Sequence, residues 1–216
     1  MQQPTAPATR PLRRLRWLVW VAALAVGVGA GVLVEVLRSS PSTPVPAAVA
    51  PAAPATTWAA GKRPAPAFSL HDPDGRPVTL AALRGRPVVL TFFDPLCTDF
   101  CPLEARVVNE ALAGLPVAAR PAVVAVSVNP FGNTRATLRH DTKKWRMHGR
   151  WRWAIGSTPA LKTVWADYGI GVQQTQGHDV VHTEALYLID ARGDERALWL
   201  WPFRAPDLLS VLRTTR

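Results

Sequence analysis

VVLTFFDPLCTDFCPLEARVV, residues 88–108, passes from an apolar run through a short loop into a helical pattern. Val88 to Phe93 is short, apolar and rich in β-formers, as in a strand buried on both faces. Asp94-Pro95-Leu96 interrupts it, and Cys101 to Leu112 has helical spacing. The loop between them carries both cysteines of the chain, Cys97 and Cys101. A helix N-terminus presents unpaired N–H groups and a positive dipole, which favour thiolate over thiol at that place.

Outward from this segment the chain alternates β and α patterns. Phe68-Ser69-Leu70 and Pro77-Val78-Thr79-Leu80 flank the turn Asp72-Pro73-Asp74-Gly75. Val123 to Val128 is a second buried strand, and residues 134–147 suit a solvent-facing helix. Trp151, Trp153 and Ile155 alternate with Arg150, Arg152 and Ala154, which predicts a strand with one buried face. Thr158-Pro159 opens a helix that Gly169 ends. Ala185 to Ile189 and Ala197 to Trp201 form a hairpin about the turn at residues 190–193, and Pro206 to Leu212 closes the chain as a helix. This order predicts an α/β domain on a central mixed sheet flanked by helices, the order of a thioredoxin-like fold.

The N-terminal quarter has another character. Trp17 to Val34 is eighteen residues without a charge, about enough to cross a hydrocarbon core ~30 Å thick. Arg10, Arg13, Arg14 and Arg16 precede it, and residues 39–61 carry no charge. The expected organisation is a cytoplasmic basic N-terminus at 1–16, a transmembrane anchor at 17–37, a Pro/Ala-rich linker at 38–63 and the folded domain at 64–216. That places a single-pass protein in the cell membrane with its C-terminal domain extracytoplasmic. A signal peptide cleaved in the Ala/Pro stretch is the rival reading, and it delivers the domain to the same compartment. The net charge of +10 does not make a nucleic-acid binder. Half of the excess lies in residues 1–62 beside the apolar run, and no zinc-finger spacing or Lys/Arg run accompanies the rest. Lys143 to Trp153 interleaves cations with indoles, and the alternation is that of a helix end followed by a strand with its tryptophans inward.

Two cysteines four apart are not a disulfide framework. If the turn between them is helical, both lie on one face and can close on one metal ion. Soft thiolates suit Cu(I) and Zn, and an added imidazole admits Cu(II). The spacing is one residue longer than the Cys-x-x-Cys redox motif, which weakens a thiol–disulfide oxidoreductase without removing it. An inert disulfide is the bland alternative. The histidines are His71, His140, His148, His178 and His182. His140 and His148 flank the basic helix as surface residues, and His71 sits in a turn. His182 precedes the strand that ends at Ile189, with His178 as its competitor four residues away. Asp94 reads as a solvated loop carboxylate.

Phe92-Phe93, Cys97, Asp99, Cys101-Pro102, His182-Thr183 and Tyr187-Leu188-Ile189-Asp190 together resemble the Sco (SenC-type) family of copper chaperones for cytochrome c oxidase assembly. Asp72 to Leu80, Ser127-Val128 and Gly156-Ser157-Thr158-Pro159 extend the resemblance in order over residues 66–213. It implies a copper site of Cys97, Cys101 and His182, holding Cu(I), Cu(II) or both. The implied partner is the copper subunit of cytochrome c oxidase or another copper-handling protein. It also implies a metallochaperone rather than a turnover enzyme. The alternative is an extracytoplasmic thiol–disulfide reductase with Cys97 and Cys101 as its redox pair. The chain departs from the family at Asn129, where an aspartate is usual, at Asp94-Pro95-Leu96, and at Thr98 after the first cysteine.

Overall fold

The computed structural model describes residues 53–215. The basic N-terminus, the expected anchor at 17–37 and most of the expected linker lie outside them. Among the described residues no helix is long and apolar enough to cross a membrane.

The strands are β1 (Thr56–Thr57), β2 (Ser69–His71), β3 (Pro77–Thr79), β4 (Val88–Phe93), β5 (Ala122–Ser127), β6 (Trp151–Ala154), β7 (Val172–Gln174), β8 (Val180–His182), β9 (Ala185–Ile189) and β10 (Glu195–Leu200). The helices are α1 (Leu80–Leu83), α2 (Phe100–Ala113), α3 (Arg135–Lys144), α4 (Thr158–Asp167) and α5 (Ala205–Thr214). Six strands form the central sheet in the order β1-β10-β9-β4-β5-β6. β4, β5 and β6 run parallel, and β9 lies antiparallel between β4 and β10. This is the mixed, helix-flanked sheet of a thioredoxin-like fold, as the alternating β and α patterns predicted.

Alternation along the buried strands sorts the core into two layers. Val89, Phe93, Val123, Ala125, Trp151 and Trp153 face α2, α3 and α5. Leu90, Phe92, Val124, Val126, Ala154 and Tyr187 face α4 and the β2–β3 hairpin. Because successive side chains point to opposite faces, a strand covered on both sides must be apolar throughout. Every residue of β4 and of β5 is accordingly buried. The tryptophans beside the basic residues face inward as predicted. Trp145, Trp151 and Trp153 are buried and ring Phe93 at centroid distances of 5.8, 5.9 and 6.3 Å. His71 pins β2 to the end of β6 through two backbone hydrogen bonds with Ile155.

The domain starts earlier than the composition suggested. Thr56 and Thr57 pair with Leu198 and Ala197 of β10, and the Arg63 guanidinium lies 4.6 Å over the Trp58 ring and pairs with Glu195. Residues 56–63 therefore belong to the sheet edge, although their composition is that of a spacer. The short α1, capped by Thr79 accepting from Ala82 N–H at 3.1 Å, and the β7–β8 hairpin are likewise elements that periodicity did not reveal.

Candidate metal centre

Chain segments converge where β4 ends. Asp94 O accepts from Cys97 N–H at 3.0 Å, closing a turn with Pro95 at its second position. Asp94 Oδ1 accepts from Leu96 N–H at 2.7 Å, an Asx-type bond that fixes the loop's entry. Asp94 is thus buried rather than solvated. Burial pushes its carboxyl up, while the Leu96 N–H and the Asn129 side chain hold part of that shift back. Asn129 reaches the other way too, its Nδ2 donating to His178 O at 2.7 Å. The residue that departs from the family pattern therefore ties the cysteine loop to the loop ahead of β8. Gly132, in the turn after β5, completes this contact. A Cβ there would stand 2.7 Å from Pro95 Cβ, so a side chain would force the loops apart.

Asp99 caps α2, its Oδ1 accepting from Phe100 N–H at 2.9 Å. The helix begins at Phe100, so Cys97 lies in the loop and only Cys101 is in the first turn. The two cysteines do not share a helical face, contrary to the simplest spacing argument. Instead Cys97 Sγ sits over the helix start, 3.3 Å from Cys101 N–H, which donates to it, and 3.1 Å from Asp99 Oδ1. Both residues are free cysteines, Cys97 half-buried and Cys101 buried. The Cys101 thiol and backbone N–H aimed at Cys97 hold its thiol below the ordinary range, against burial and Asp99. The Cys101 thiol moves the other way, well above its ordinary range. Its bond to Cys97, its burial and the charges of Cys97 and Glu184 all favour the protonated form.

His182 closes β8, opposite Val172 in the hairpin, three positions ahead of the start of β9. Thr183 anchors it, donating N–H to Gly171 O at 2.9 Å and accepting from Gly171 N–H through Oγ1 at 3.1 Å. The imidazole is only 4 % exposed. Its Nδ1 lies 3.1 Å from Thr183 O. A carbonyl only accepts, so Nδ1 carries the proton and Nε2 is left free. Burial holds the imidazole below its ordinary range, opposed by the Thr183 bond.

A carboxylate that the sequence reading missed faces Nε2. Glu184 Oε1 lies 3.0 Å away. Burial pushes the Glu184 carboxyl up to about 7, helped by the charges of Asp99 and Asp94. Both shifts favour the neutral forms: the imidazole keeps its lone pair at Nε2, and the carboxyl, half ionised near pH 7, holds at most one proton that an ion at Nε2 displaces. Two residues apart on an extended chain face one side, and His-x-Glu was the signal available.

Ligand atoms of Cys101, His182 and Glu184 all lie within 4.8 Å of one another. Cys97 stands outside that group, turned toward Asp99, with its sulfur accepting from the Cys101 backbone N–H. The arrangement borders an open cleft of about 400 Å³ that Cys97, Asp99, His182 and Glu184 line. His178 is exposed, its ring tilted against that of Phe131 at a centroid distance of 4.2 Å. His71, His140 and His148 are exposed, the last two as expected. Two sulfurs, a ring nitrogen with its lone pair free and a carboxylate oxygen form a donor set that fits a borderline or soft transition-metal ion.

A family model described as SCO1/SenC matches residues 58–210. Among solved structures, copper-bound ScoI from Arabidopsis thaliana is 24% identical over 69% of this chain and 96% of that chain, with a TM-score of 0.63. Apo Sco1 from Thermus thermophilus is 25% identical over 70% of this chain and 91% of that chain, with a TM-score of 0.61. BsSco, a member of the Sco family of cytochrome c oxidase assembly proteins in which a disulfide switch was identified, is 18% identical over 74% and 96%, with a TM-score of 0.61. A comparison with curated protein sequences finds no match.

Proposed function

Since the chain belongs to the SCO1/SenC family, we propose that it is a membrane-anchored, extracytoplasmic copper-binding protein that hands copper to a copper-site subunit of cytochrome c oxidase. Cys97, Cys101 and His182 hold the ion in this reading. The observation that carries it is the grouping of the buried Cys101 sulfur with a His182 ring nitrogen and a Glu184 oxygen, all within 4.8 Å of one another, with the Cys97 sulfur 3.3 Å from the Cys101 backbone nitrogen. In this reading the Cys97 sulfur leaves Asp99 for the ion. Copper is cargo here, so a site opening onto a cleft on one side suits ligand exchange with an incoming partner. Copper-bound ScoI of Arabidopsis thaliana shares the fold, and the apolar run at 17–37 with its preceding arginines supports the anchor and orientation.

A second reading has its own support. Cys97 is the accessible thiol with a depressed pKa, and Cys101 is its buried partner with a raised one. That is the polarity of an attacking and a resolving thiol. A reductase would transfer two electrons and two protons to a partner's disulfide, leaving Cys97 and Cys101 bridged.

Mixing the Cu(I)-loaded full chain with the metal-free copper-site domain of an oxidase subunit separates the two. Delivery predicts that copper moves to the reduced domain while both thiols of the chain stay reduced. Retention of copper by the chain contradicts delivery. Reduction of the oxidised domain by the metal-free chain, at equal rate in wild type and His182→Ala, supports the reductase.

A further inference from the structure

We propose that Glu184 is a fourth copper ligand, an oxygen donor that makes the site favour Cu(II) over Cu(I). This rests on the reading of the cysteine and histidine cluster as a copper site. Four observations carry it.

Glu184 Oε1 lies 3.0 Å from His182 Nε2, the one ring nitrogen free to coordinate. Donors at that separation, each about 2.0 Å from one ion, subtend roughly a right angle at it, a normal angle between adjacent ligands. Glu184 also falls with Cys101 and His182 inside the 4.8 Å group, so it joins the sulfur as well as the imidazole. Its second oxygen, Oε2, is buried with no hydrogen-bond partner, and an uncompensated buried oxygen is costly unless a ligand engages it. Finally, Glu184 O accepts from Trp201 N–H at 3.0 Å, so β10 fixes the backbone that carries the carboxylate.

The alternative role, holding His182 in position, conflicts with the same geometry. Glu184 meets the ring at Nε2, the atom copper takes, and the ring's other nitrogen is already held by Thr183. Once copper is bound to Nε2, the carboxylate either shares the ion or withdraws. Sharing has an electrostatic consequence. Two thiolates and a carboxylate bring three negative charges, which a divalent ion neutralises better than a monovalent one. A hard oxygen also adds more to Cu(II) than to Cu(I), which is satisfied by the sulfurs.

The test compares wild type with Glu184→Gln in the full chain, measuring Cu(I) affinity, Cu(II) affinity and the infrared difference spectrum on Cu(II) loading. The expected result is a loss of Cu(II) affinity of about tenfold or more in E184Q, with Cu(I) affinity held within about threefold. A carboxylate stretch should shift on Cu(II) loading in wild type and not in the variant. Unchanged Cu(II) affinity, or equal losses for both oxidation states, would overturn the assignment. Should E184Q not fold, the wild-type spectrum decides, because the absence of any carboxylate shift contradicts the proposal. A wild type that binds no copper at all would instead overturn the copper reading beneath it.

Discussion

The backbone N–H of Cys101 donates to the sulfur of Cys97 at 3.3 Å, so the sulfur of one cysteine sits over the helix start whose first turn carries the other. The two thiols are chemically unlike as a result. Cys97 should be alkylated first and at lower pH, and Cys101 slowly unless the domain unfolds. In Cys101→Ala the thiol that holds Cys97 down is gone, so the Cys97 pKa should rise and its alkylation near neutral pH slow. Rates against pH with iodoacetamide measure this. An unchanged Cys97 profile in the variant would mean that the neighbouring thiol does not set its reactivity.

Glu104, one turn along α2 from Cys101, is fully buried. It accepts from the Thr91 hydroxyl through Oε1 and has no partner at Oε2. Burial pushes its carboxyl from the ordinary 4.5 up to about 8. A group whose folded-state pKa is raised adds stability that is fully present below the unfolded value and lost as pH rises through the folded one. Glu104 therefore destabilises the domain progressively between pH 4.5 and about 8. Glu104→Gln keeps an acceptor for Thr91 and removes the titration. Its stability relative to wild type should increase across that window by up to about 1.4 kcal/mol per pH unit. Urea unfolding at several pH values reads this directly, and parallel pH profiles would contradict it.

Arg63 caps a buried acid from the domain's edge. It is half-exposed, whereas Glu195 is 1% exposed. Arg63→Ala leaves that carboxylate without its charge partner and should cost about 1–3 kcal/mol, less at low pH where Glu195 is protonated. A chain starting at Pro64 loses both this pair and β1. It should melt below one starting at residue 53. Equal melting temperatures would return residues 56–63 to the role of a spacer.

Leu96, Phe100, Phe131 and Val181 are large apolar side chains exposed in the segments around the cleft. Phe100→Ser and Phe131→Ser should leave the melting temperature and copper affinity near wild type and slow copper transfer to a partner domain. An unchanged transfer rate would remove this rim from the docking surface.

Patterns driven by burial were legible in the residue order. Val88 to Phe93 and Ala122 to Ser127 are apolar because both faces are covered, and Trp151 and Trp153 alternate because Arg152 points to solvent. Elements held by backbone pairing with little burial were not. Thr56-Thr57 is exposed and sits in Ala/Pro-rich composition, and β7 and β8 are short, with both Gln173 and Gln174 exposed. The cysteine loop was legible at the level of strand, loop and helix start, but not in detail. The helix begins after Cys97 because Asp99 caps it, a choice that the spacing of the two cysteines does not encode. Asp94 and Glu184 look like ordinary loop carboxylates until the fold buries them, the first against Asn129 and the second where β10 meets its backbone through Trp201. The ordered resemblance carried His182, where local pattern alone left His178 as a competitor.

If Cys97, Cys101 and His182 hold copper together, titrating the reduced full chain with Cu(II) while following absorption separates wild type from His182→Ala. Wild type should bind a single copper with a thiolate-to-Cu(II) charge-transfer band. The variant should lose that band and keep the ability to form the Cys97–Cys101 disulfide. The same band at the same affinity in both proteins would contradict the role of His182, and no band in either would contradict the copper site itself.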